Sequence, residues 1–146
     1  MNRQVAGLNP ELHMATIIKS ADVDAPADAV WDALADFGAL HRRVAPGFVA
    51  DVVLEPGARI VTFGSGMVAR ELFLGADHTA RRIAYSLQAD TLDHHSASCQ
   101  VVDLGDGRCR FTWIADVLPD DAAPMISGMM EEGLKIAAET MGRVPA

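Results

Sequence analysis

Cysteine, basic charge and long apolar runs are all scarce in this chain, and each shortage excludes something. The two cysteines, Cys99 and Cys109, are too few for a disulfide framework. Only 12 Lys and Arg stand against 20 Asp and Glu, giving a formal net charge of −8. Phosphate binding needs a basic face, so nucleic acid is not an expected partner. An anionic membrane surface is excluded on the same ground. The pairs Arg42-Arg43 and Arg81-Arg82 are isolated and read as solvated loop charges. No stretch approaches the length of a membrane-spanning helix.

Motifs for metal and nucleotide chemistry are missing too. There is no H-E-x-x-H and no paired C-x-x-C. His94 and His95 are strand neighbours, which point to opposite faces and cannot chelate one ion. His95 and Cys99 share a face but lie about 13 Å apart along a strand. No glycine-rich loop links a strand to a helix in the way phosphate binding requires. Gly64-Ser65-Gly66 joins two strands, so it is a tight turn and not a nucleophile elbow. Neither a metal nor a cofactor is expected.

The chain has 146 residues, half of them hydrophobic and 22% charged, which suits one globular domain with a single core. Met1–His13 lacks the apolar stretch of a signal peptide and reads as a flexible N-terminal arm, with the domain spanning 14–146. Free thiols together with these features fit a cytoplasmic protein.

The stretch Asp22 to Phe37 ends a strand and opens a helix. Pro26 suits the first helical position, Asp24 the N-cap, and Asp28 the first turn. Strand 1 is expected over Ala15 to Val23 and the helix over Pro26 to Ala35. Phe37 to Pro46 reads as a second short helix or an irregular turn. Six further strands are expected: Phe48 to Leu54, Arg59 to Phe63, Met67 to Leu74, Arg81 to Gln88, His94 to Leu104 and Arg108 to Val117. A last helix runs from Asp120 or Pro124 to Met141 and stops at Gly142. Its stripe is Ile126, Met129, Met130, Gly133, Leu134, Ala137 and Met141.

Such hairpins make an antiparallel meander, and only the last helix is long enough to cover it. A three-residue loop after Leu104 pairs Leu104 with Arg108, Cys99 with Trp113 and Cys109 with Asp103. The two sulfurs then lie beyond disulfide reach. The same register puts His95, Ala97, Cys99 and Val101 on one face with Phe111, Trp113, Ala115 and Val117. Ile83, Tyr85 and Leu87 are the apolar set of their strand, and Phe48, Val52 and Leu54 of theirs. Strand 4 is ambiguous. A five-residue loop pairing Gly75 with Arg81 would set Glu71 opposite Tyr85 and turn it inward.

With these elements in order, the chain resembles the START-like (SRPBCC) superfamily, in particular its polyketide cyclase/dehydratase-like branch. The resemblance covers Thr16 to Met141 and rests on Ala25-Pro26, Val30-Trp31, Asp36-Phe37, Arg70-Glu71, Tyr85 and Thr112-Trp113. The family often has an aromatic before the proline that follows the first helix, whereas here the segment reads His41-Arg42-Arg43-Val44-Ala45-Pro46. The resemblance implies an α+β helix-grip fold: a curved seven-stranded antiparallel sheet wrapped around the C-terminal helix, with an apolar cavity between them. Relatives of this kind bind lipids, polyketides and other apolar small molecules, and some are enzymes.

The candidate cavity residues follow from the faces above. The strands and their flanks offer Phe48, Phe73, Tyr85, His95, Cys99 and Trp113. The helix offers Met129, Met130 and Leu134. The expected partner is an apolar small molecule, with a homodimer left open. Glu71, Tyr85 and His95 are the candidate catalytic groups, since a buried carboxylate has its pKa raised and can move protons. The plainer alternative gives Tyr85 and His95 satisfied core hydrogen bonds and pairs Glu71 with an arginine. Three functions remain: a carrier or sensor of an apolar ligand, a small cyclase or dehydratase, and a protein-interaction module. The lack of an obligatory catalytic constellation favours the first.

Overall fold

The computed structural model describes residues 14–142, so the expected N-terminal arm lies outside the described residues. The elements are β1 (Ala15–Val23), α1 (Ala27–Ala35), β2 (Val49–Glu55), β3 (Ala58–Phe63), β4 (Val68–Asp77), β5 (Arg82–Gln88), β6 (His94–Gly105), β7 (Arg108–Leu118) and α2 (Ala123–Met141). The strands form one antiparallel sheet in the order β1-β7-β6-β5-β4-β3-β2. Helix α2 crosses it, packing on β1 and β7. This is the helix-grip arrangement.

Alternation in the sequence becomes sidedness in the sheet. His95, Ala97, Cys99, Val101, Phe111, Ala115 and Val117 are all buried, and Cys99 pairs with Trp113 as the register predicts. The hairpin closes one residue later than expected. Gly105, not Leu104, pairs with Arg108, and a bulge absorbs Leu104. The turn is then the two-residue Asp106-Gly107, with φ of +55° and +73°. Two positive φ values suit a primed turn, whose twist matches the flanking strands. Cys109 still faces Asp103, and both cysteines are buried free thiols.

Strand β4 faces as expected but sits in a different register. A bulge at Leu74 sets Phe73 opposite Tyr85 and Glu71 opposite Leu87. Glu71 nevertheless points inward and is 4% exposed. Strand β2 departs further. It begins at Val49 with an irregularity before Asp51, which breaks the expected alternation of Phe48, Val52 and Leu54. Val49 takes the buried place, and Leu54 is 60% exposed. Leu54 instead leans over Gly38, where a Cβ would lie 2.8 Å from its Cδ1.

Pro26 caps α1 instead of entering it: its ψ of 146° is extended, and its carbonyl accepts the Ala29 and Val30 N–H groups. Asp28 lies in the first turn, as expected, and bonds Arg81 at 2.8 Å. The segment after α1 contains one π-helical turn, Leu40–Val44, closed by the Ala45 N–H to the Leu40 carbonyl at 2.9 Å. It buries Val44 under α2 and next to α1. Helix α2 buries Ile126, Met130, Gly133, Leu134 and Ala137. Fully buried Val23, Val30, Val101 and Val117 complete the core, each worth about 1.5–3 kcal/mol by burial. No helix among the described residues is long and apolar enough to cross a membrane.

Candidate functional site

Between α2, the π-helical turn and the inner face of the sheet lies a cavity of about 80 Å³. Its wall is mostly apolar. The turn gives Leu40 and Val44, the following loop Phe48, β3 Phe63, and the helix Met129 and Met130. Six polar or polarisable side chains interrupt this wall: Arg59, Glu71, Tyr85, His95, Cys99 and Trp113.

The centre of the polar side is an ion pair. Arg59 and Glu71 are direct cross-strand partners on β3 and β4. Arg59 Nε donates to Glu71 Oε1 at 2.8 Å, and its NH2 group lies 2.7 Å from the same oxygen. Its NH1 group donates to the Phe37 carbonyl at 3.1 Å. The guanidinium carbon stands 4.0 Å over the Phe37 ring centroid and 5.5 Å from that of Tyr85. Both residues of the pair are almost fully buried. Charges that leave water together, with their hydrogen bonds made, avoid the cost of one isolated buried ion.

Trp113 Nε1 donates to the Tyr85 hydroxyl at 3.0 Å. Burial drives the Tyr85 phenol well above its ordinary value, helped by the nearby Glu71 charge. Tyr85 therefore stays a neutral phenol with a proton to donate. The Tyr85 and His95 rings lie 5.9 Å apart. His95 Nδ1 accepts the Leu87 backbone N–H at 3.0 Å, so the neutral ring carries its proton on Nε2. Burial pulls the His95 pKa down to about 4, which keeps that ring neutral at pH 7. Burial also pushes the Cys99 thiol up to about 12. The site thus offers neutral donors around one internally neutralised ion pair.

Of the residues expected from sequence, Phe48, Glu71, Tyr85, His95, Cys99, Trp113, Met129 and Met130 meet at this cavity. Phe73 and Leu134 do not. Phe73 is 44% exposed and packs edge-on against Phe37 at 5.5 Å. Leu134 is buried in the core one position from the cavity-lining Gly133. Arg59 escaped the sequence reading. The signal was there: closing Gly64-Ser65-Gly66 as a three-residue loop pairs Phe63 with Met67, and counting back sets Arg59 opposite Glu71.

Comparison with known proteins fits this geometry. A solution structure from Thermobifida fusca is 29% identical, covers 88% of this chain and 93% of its own, and has a TM-score of 0.72. The Zhui aromatase/cyclase from Streptomyces sp. R1128 is 23% identical, with coverage of 88% and 92% and a TM-score of 0.68. A START superfamily protein from Mycobacterium smegmatis is 18% identical, with coverage of 86% and 93% and a TM-score of 0.66. Comparison with curated proteins gives no match. The model of the polyketide cyclase / dehydrase and lipid transport family matches residues 14–142. With nearly all of its length matched, this chain belongs to the polyketide cyclase / dehydrase and lipid transport family.

Proposed function

We propose that this protein binds a small apolar molecule between its sheet and α2, as a carrier or sensor. The observation that carries the reading is the cavity itself: an apolar wall with its polar groups gathered on one side, the usual character of a small-molecule site. Its volume of about 80 Å³ is well below the roughly 300 Å³ at which drug-sized pockets begin. Occupancy by a lipid, polyketide or larger aromatic therefore requires the wall to move. Met129 and Met130 suit that role, since a thioether side chain repacks at little cost.

A second reading is a small cyclase- or dehydratase-type enzyme. It is supported by Glu71, Tyr85 and His95 lining one cavity in a family whose description includes cyclases and dehydrases. In that reading Tyr85 polarises a carbonyl and Glu71 takes up a proton. His95 is a poorer base, because its Nδ1 is already engaged.

Trp113 reports on occupancy. In a Trp31→Phe background it is the one remaining tryptophan of the two in the chain. Titration with a medium-chain alkyl ketone should change its emission saturably. Filling the cavity by Ala115→Leu should abolish that change. A linear, non-saturating response, unaltered by Ala115→Leu, refutes the ligand reading. Turnover lost in Glu71→Gln with affinity retained would move the assignment to the enzyme.

A further inference from the structure

The cavity wall has one carboxylate oxygen that receives no hydrogen bond from the described residues. All three nitrogens of Arg59 are engaged, Nε and NH2 on Glu71 Oε1 and NH1 on the Phe37 carbonyl. Both contacts to Glu71 fall on the same oxygen. Glu71 Oε2 accepts none of the hydrogen bonds found among the described residues, although Glu71 lines the cavity. An acceptor with formal charge, turned to an apolar space, has a high demand for a donor. The other polar groups nearby do not meet that demand. The His95 ring lies tilted beside Tyr85 with centroids 5.9 Å apart and makes no hydrogen bond to Glu71, and Trp113 gives its N–H to the Tyr85 oxygen.

We infer that Glu71 Oε2 determines the specificity of the cavity: it accepts a hydrogen bond from a ligand hydroxyl, and the site selects neutral hydroxylated aromatic or acyl molecules over carboxylates. This inference rests on the ligand-binding reading above. Three properties lead to it. A ligand O–H satisfies Oε2 without adding charge. A ligand carboxylate would face the Glu71 carboxylate across a desolvated space, while the guanidinium that could have balanced it is already engaged. A ligand ammonium would donate to Oε2 but bring a second cation beside Arg59. The Tyr85 phenol and His95 Nε2–H, both neutral donors, suit a carbonyl or ether oxygen elsewhere on the same ligand. A site built to bond a hydroxyl rejects the analogue that lacks it, because its own buried polar atom is then left unpaired.

Three probes of one shape separate these terms: 2-naphthol, 2-methoxynaphthalene and 2-naphthoate. Their affinities for the full chain at pH 7 are compared by isothermal titration calorimetry. The expected order is 2-naphthol tightest by about tenfold over 2-methoxynaphthalene, the increment of one hydrogen bond to a charged group, with 2-naphthoate weakest. In Glu71→Gln, which replaces an acceptor-only group by one that also donates and frees Arg59, the order should invert and favour 2-naphthoate. Equal affinity of 2-naphthol and 2-methoxynaphthalene for the unmutated protein overturns the inference, and so does a preference for 2-naphthoate. That comparison stands whether or not Glu71→Gln folds. Failure of all three probes to bind would instead overturn the ligand-binding reading beneath it.

Discussion

The ring of Phe48 fills the notch that Gly133 leaves in α2. A Cβ at position 133 would lie 2.8 Å from Phe48 Cε2 and 3.1 Å from its Cζ. The same ring meets Phe63 edge-on at 5.5 Å and lines the cavity. It follows Gly47, whose φ of +89° only glycine adopts without strain. Phe48 is thus a wedge between helix and sheet, and its position sets how far the cavity closes.

Gly133→Ala should therefore displace the Phe48 ring and cost about 1–3 kcal/mol, the range for overpacking. Combining it with Phe48→Leu should recover part of that loss. Urea denaturation of the two single variants and the double variant measures the coupling. Additive losses would contradict the contact.

The Arg59–Glu71 pair makes a sharper demand. Arg59→Met leaves a carboxylate buried without its partner and should cost about 3–5 kcal/mol. Arg59→Met with Glu71→Leu should be markedly more stable than Arg59→Met alone, since no charge is then stranded. Denaturation midpoints of the four proteins decide this.

His95 ties stability to pH. Its pKa is about 4 in the folded protein and 6.5 when unperturbed, so the unfolded chain binds the proton more readily. The contribution is fully present above pH 6.5 and is lost as pH falls toward 4, by at most about 3 kcal/mol. His95→Gln should remove this slope. The readout is the difference between the two proteins in urea denaturation at pH 7 and pH 4.5. Parallel curves would contradict the burial of a neutral ring.

Much of this was legible in the sequence, and the gaps have physical causes. The β6–β7 faces count back from a three-residue loop after Leu104; the turn is one residue shorter, but the bulge at Leu104 restores the register, so Cys99 still falls opposite Trp113. The direction of Glu71 was legible, but its neighbour was not. A bulge at Leu74 shifts the β4–β5 register, and bulges leave no period in the sequence. Phe73 shares the parity of Glu71 and lies on the same side of that bulge, yet it is 44% exposed and packs on Phe37 outside the cavity, so parity alone does not decide burial. The Phe48–Gly133 wedge joins residues far apart in the chain through a missing side chain, which no local pattern encodes.

The two thiols should be inert in the folded protein. Burial raises both, Cys99 to about 12, and the nucleophile is the thiolate. Mass spectrometry after iodoacetamide treatment should find neither Cys99 nor Cys109 alkylated in native protein and both alkylated in urea. Rapid native labelling of Cys99 would mean that the cavity wall opens far more than the structure indicates.

The central claim is that an apolar ligand occupies the space beside α2, and the methionines of that helix test it most directly. Met129 and Met130 line the cavity, whereas Met125, on the same helix, is 51% exposed outside it. With methyl-labelled methionine, titration of 2-naphthol followed by nuclear magnetic resonance should shift the Met129 and Met130 methyl signals saturably through ring currents and leave Met125 in place. Shifts confined to Met125, or no saturable shift at Met129 and Met130, would contradict the account.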